Sequence, residues 1–146
     1  MILISEIVTS ALLATSAMTA FSYIFSYILN GNFKEPQLLN YLIANFPSNN
    51  LTICREHIYG WFIHFLIGGL FVIIFKIISA FYAVNLSFLT GAVFGIVAGL
   101  IGIGGWAIGF SLHPKPPSIN KALFYLQLIF AHLVFGIVMV SVLDFF

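Results

Sequence analysis

Four apolar stretches, each longer than 20 residues and bounded by charge, proline or asparagine, run over about 7–29, 57–82, 86–110 and 120–143. A helix needs about 20 such residues to cross roughly 30 Å of hydrocarbon, and its backbone polar groups are satisfied there without water. The pattern predicts an all-α integral membrane four-helix bundle, with residues 1–146 as a single transmembrane domain. Composition points the same way: 62% of the residues are hydrophobic and 6% charged, more apolar surface than a water-soluble core can hide. A net charge of +1 leaves no footprint for nucleic acid. The lone Cys54 excludes an internal disulfide or a multi-cysteine cluster.

The first stretch is too long and too rich in Ser and Thr for a cleaved leader, and is expected to be retained. Between the first two spans, Pro36 to Phe46 has the composition of an interfacial helix. The link between spans two and three is so short that they should form an antiparallel hairpin. His113-Pro114-Lys115-Pro116-Pro117 between the last two spans reads as a stiff, extended turn. Lys34, Arg55, Lys115 and Lys121 fall on one side of this topology and Lys76 on the other, where it is expected to snorkel to the headgroups. The positive-inside rule then puts both termini outside the cytoplasm.

Span one carries Thr9, Ser16, Thr19, Ser22 and Ser26 as a small polar seam. Span three carries Gly91, Gly95 and Gly99 at a spacing of four, a helix-packing face, followed by Gly102, Gly104, Gly105 and Gly109. Among the candidate functional residues the histidines stand first, because a polar ring inside a span is costly to leave unsatisfied. His64 and His132 lie roughly 13–17 Å deep from the same membrane face, at 1.5 Å per helical residue. Each has a glycine one turn later, Gly68 and Gly136, and the segments 61–68 and 129–136 look like copies in two parallel helical hairpins related about the membrane normal.

Three roles compete for this pair. Each ring can fix packing through a hydrogen bond. The two can ligate one metal ion or the iron of haem b, with Gly68 and Gly136 leaving room for a flat macrocycle. Or they can line a proton or solute path with Tyr125 or Thr19. His57 and His113 read as headgroup-level residues. Glu6, Glu35, Glu56 and Asp144 are all expected outside or at the edge of the bilayer, which argues against carboxylate acid/base chemistry. No phosphate loop, nucleophile elbow or HExxH helix occurs.

Ala14 to Met18, His64-Phe65-x-x-Gly68, Gly91-x-x-Phe94-Gly95 and His132-Leu133-x-x-Gly136 resemble small four-span bacterial inner-membrane proteins of the YagU-like type. The resemblance implies the same bundle, a bacterial inner membrane, and weight on Thr15, Met18, His64, Gly68, Gly95, His132 and Gly136.

The sequence thus leads to a polytopic inner-membrane protein without a catalytic domain, packing against lipid and against copies of itself or other membrane subunits. The alternatives are a bis-histidine haem b or metal-binding protein and a small transporter with a histidine-lined path.

Overall fold

The computed structural model describes residues 2–46 and 54–146. Among these the fold is all-α, with helices α1 (Ile2–Ile28), α2 (Glu35–Ala44), α3 (Ile58–Tyr82), α4 (Phe88–Leu112) and α5 (Lys121–Phe145). All but α2 are long and apolar enough to cross a membrane. α1 begins upstream of Glu6, because Glu6 meets Lys76 of α3 at 2.9 Å instead of marking the exit into water. Lys76, expected to snorkel to the headgroups, is half-buried and pairs with Glu6.

Local chemistry sets the helix ends. At the end of α1, Asn30 takes a left-handed conformation (φ 48°) that its short polar side chain tolerates, and Gly31 N donates to Ser26 O at 3.0 Å. Ser87 and Thr90 form a reciprocal capping box at the start of α4. Asn120 caps α5 by accepting from Leu123 N at 3.1 Å. α4 stops at His113, one residue before the first of the prolines.

The spanning helices form an open arc in which α3 packs on α1, α1 on α5, and α5 on α4. The α4–α5 crossing is the closest. A Cβ on Gly91 would come within 2.6 Å of Gly136 O, and one on Gly95 would overlap His132 O. Glycine at these positions lets the backbones touch, which in lipid replaces hydrophobic association as the source of helix attraction.

The arc does not close. α3 and α4 are neighbours in the chain but their backbones stay apart. They meet through rings at the end near their connecting link, where Phe94 lies 5.0 Å from Phe75 and 6.4 Å from Phe71, centroid to centroid. From there they splay. The two hairpins α1–α3 and α4–α5 are accordingly unequal: one seam between them, α1–α5, is packed and the other, α3–α4, is open.

One apolar cluster, including Ala14, Met18, Val72, Phe75, Phe135 and Met139, fills the narrow end; a second, with Phe33, Leu38, Phe110, Phe124 and Leu128, sits beneath α2. The inner face of α1 carries Ser10, Thr15, Thr19, Ser22 and Ser26, all buried. Ser16, expected in this seam, points outward, and Thr9 is half-buried. The buried set falls at intervals of three to five residues, and Ser16 is displaced from it by the helical rotation of 100° per residue.

Candidate functional site: a cavity between α3 and α4

α2 lies across the wide end of the open seam. Asn40 ties it to α3, with its Nδ2 donating to Arg55 O (2.9 Å) and His57 O (2.6 Å) and its Oδ1 accepting from Gly60 N (2.7 Å). On the other side, Leu42 O lies 2.9 Å from His113 Nε2. His113, the C-cap residue of α4, is therefore buried against α2. His57 does lie at a helix end, where its ring accepts from Tyr59 N.

Beneath α2, between the splayed helices, is a cavity of about 360 Å³. Gly102, Gly105 and Gly109 of α4 form one wall, and Met18, Phe71, Leu128 and Phe135 much of the remainder. Ile67 and Ile101 line it yet are exposed, so it opens sideways through the seam. Three ionisable side chains reach it: His64, His132 and Glu35.

Counting protons fixes what each offers. Thr19 Oγ1 donates its only proton to Thr15 O at 2.7 Å, so its 3.0 Å contact with His64 Nε2 must be donated by that nitrogen. Nδ1 is then the lone-pair nitrogen of His64. His132 Nδ1 lies 2.8 Å from Leu128 O and must carry a proton, which leaves Nε2 as an acceptor. A Cβ on Gly102 would meet that nitrogen at 3.3 Å.

Glu35 is the residue whose burial the sequence pattern does not announce. Expected outside or at the edge of the bilayer, it is only 1% exposed within the protein. Its Oε1 accepts from Ser22 Oγ (2.8 Å) and Gln127 Nε2 (3.0 Å), and the same Gln127 group reaches Ser22 Oγ at 2.5 Å. Ser22 and Gln127 each sit six residues inside their helix ends, which sets the carboxyl about 9 Å inward of those ends at 1.5 Å per residue. The cause is the turn after α1, which folds the first residue of α2 back into the bundle. Burial pushes the carboxyl up to about 7, against the opposing pull of its hydrogen bonds from Gln127 and Ser22. Glu35 Oε2 and Gln127 Oε1 are buried without a hydrogen-bond partner.

Of the other candidates from the sequence, Gly68 lines the cavity and abuts Thr15 Oγ1 closely enough to exclude a side chain. Gly91, Gly95 and Gly136 lie in the α4–α5 crossing, and Gly99 backs His132, where a Cβ would come within 3.3 Å of the histidine Cβ. Tyr125 is not brought to the histidines; its ring packs on Phe124 at 5.9 Å and takes no part in the cavity wall. Among the described residues, no three His, Cys, Asp or Glu side chains converge on a point where a metal ion could sit. The sequence reading passed over Gln127, although an amide deep in an apolar run was a usable signal.

Fold and cavity define a class: among the described residues, an all-α membrane protein with four helices long and apolar enough to span a bilayer and a laterally open cavity between two of them. Comparison with protein-family models, curated proteins and solved structures found no match for the chain.

Proposed function

We propose that the protein binds a small, largely apolar molecule within the membrane, in the cavity between α3 and α4. The observation that carries this reading is the unfilled space itself. A bundle that only packs would close both seams, yet here one closes glycine on glycine while the other leaves about 360 Å³ beside exposed Ile67 and Ile101. A concave, mostly apolar pocket with a few polar groups is the usual form of a ligand site. The YagU-like frame is compatible with this role, because Met18, His64, Gly68 and His132 all line the cavity. We further place the protein in a bacterial inner membrane, with the end bearing Lys34, Arg55, Lys115 and Lys121 in the cytoplasm.

The test is extraction with organic solvent of protein purified in gentle detergent, with mass spectrometry of the extract. A stoichiometric small molecule should be present in the wild type and depleted in Gly105→Phe, where a ring would enter the cavity. Equal recovery from both proteins would overturn the reading.

A second reading, a homo-oligomer or an accessory subunit of a larger membrane complex, is favoured by one observation: Gly104, outside the cavity lining, is a position where a Cβ would meet nothing within 4 Å. That stretch of α4 could take a partner helix. The native mass of the protein in the same detergent decides this, a lone monomer being the unfavourable result.

A further inference from the structure

The unassigned chemistry of the cavity is its one-sidedness. Its three ionisable side chains all present acceptors when Glu35 is ionised, and the indole N–H of Trp106 is the one side-chain donor left in the lining. His64 Nε2–H is spent on Thr19 and His132 Nδ1–H on Leu128 O, which leaves Nδ1 and Nε2 as lone pairs. Glu35 spends Oε1 on Ser22 and Gln127, and its buried Oε2 has no partner. Gln127 Oε1, beside it in the same network, also lacks a donor. A buried acceptor without a donor costs roughly 1–3 kcal/mol, so an incoming ligand gains most by bringing donors. A metal ion would satisfy lone pairs too, but the three ionisable groups do not converge as ligands around one centre. Separate acceptors around an apolar space suit a head with several N–H groups on a hydrocarbon body.

Resting on the proposal that the cavity is a binding site, we infer that its ligand is a lipophilic primary or secondary amine, bound as the ammonium with the Glu35 carboxylate as its principal acceptor. The apolar body lies along Gly102, Gly105 and Phe71, which line the same space. The seam beside Ile67 and Ile101 admits it from the lipid side. A buried carboxylate paired with an ammonium is a charge-assisted hydrogen bond, and each partner relieves the desolvation of the other.

Trp106 lines the cavity and reports on its contents. In a Trp61→Phe background, which leaves it as the single tryptophan, its fluorescence can be titrated with decylamine, decyltrimethylammonium and decanol in nanodiscs. Gly105→Phe supplies the background of simple partitioning. Decylamine should bind at least tenfold more tightly than either other probe, and Glu35→Gln should erase that advantage. If decyltrimethylammonium equals decylamine, or decylamine equals decanol, the inference is wrong; these comparisons need no variant at position 35. If no probe exceeds the Gly105→Phe background, the cavity reading itself fails, a result distinct from loss of amine selectivity alone.

Discussion

Gly91 and Gly136 occupy each other's side-chain space: a Cβ on Gly91 would approach Gly136 O at 2.6 Å, and a Cβ on Gly136 would overlap Gly91 O. Both obstacles are backbone, which cannot swing away as a side chain can. Gly136→Ala should therefore destabilise the bundle by about 1–3 kcal/mol, the usual cost of overpacking, and Gly136→Leu by more. Gly104→Ala, where a Cβ meets nothing within 4 Å, should be neutral. Unfolding of the three variants in mixed micelles checks the order, and equal stability of Gly136→Ala and Gly104→Ala would contradict the α4–α5 crossing.

Asn40 fastens α2 over the cavity with two donated bonds and one accepted bond. Asn40→Ala removes all three and leaves Gly60 N without that partner, at a cost of about 2–3 kcal/mol. The local effect should exceed the global one. Amide exchange in α2 is expected to accelerate strongly in this variant, with α1 and α5 nearly unaffected. Uniform acceleration across all helices would mean that α2 is not separately held.

Stability should depend on pH through Glu35, whose ordinary value of 4.5 is raised to about 7 in the fold by burial. A carboxyl whose value is higher folded than unfolded contributes stability that is complete below 4.5 and lost as pH rises through 7. The protein is thus expected to weaken between about pH 5 and pH 8, by at most ~3 kcal/mol, because each pH unit separating the folded and unfolded values is worth about 1.36 kcal/mol. Glu35→Gln keeps the shape and should flatten the profile in that window. A wild type equally stable at both ends would show that the carboxyl does not titrate there.

Haem is a separate matter that an absorption spectrum settles. His132 presents a free Nε2, but the Nε2 of His64 is held by Thr19, which leaves only its Nδ1, the nitrogen nearer the backbone, as a lone pair. Protein from haem-replete cells is expected to lack a Soret band. A band that disappears in both His64→Ala and His132→Ala would replace the amine by an iron macrocycle as the occupant.

The four spans were legible in the sequence because lipid imposes a coarse requirement, some twenty apolar residues at a time, and α1, α3, α4 and α5 meet it almost continuously. Gly91, Gly95 and Gly99 were likewise legible as a face, since their spacing needs only the helical repeat. Glu35 was not. Its hydropathy and its neighbours Lys34 and Pro36 describe a link residue, and no local signal reports that the chain turns back after Asn30 to put the carboxyl beside Ser22 and Gln127. The splay of α3 from α4 was equally hidden. A short link says that two helices are adjacent, whereas their separation depends on the bulk of Phe71, Phe75 and Phe94 between them.

The sideways opening between Ile67 and Ile101 determines which concentration the protein responds to. A hydrophobic solute accumulates in the bilayer far above its level in water, and a mouth that faces the acyl chains samples that two-dimensional reservoir directly. Occupancy then follows the mole fraction of the molecule among the surrounding lipids. Affinities measured against total aqueous concentration will drift with the amount of membrane in the cuvette, and two membranes of different lipid content will load the same protein differently at the same dose.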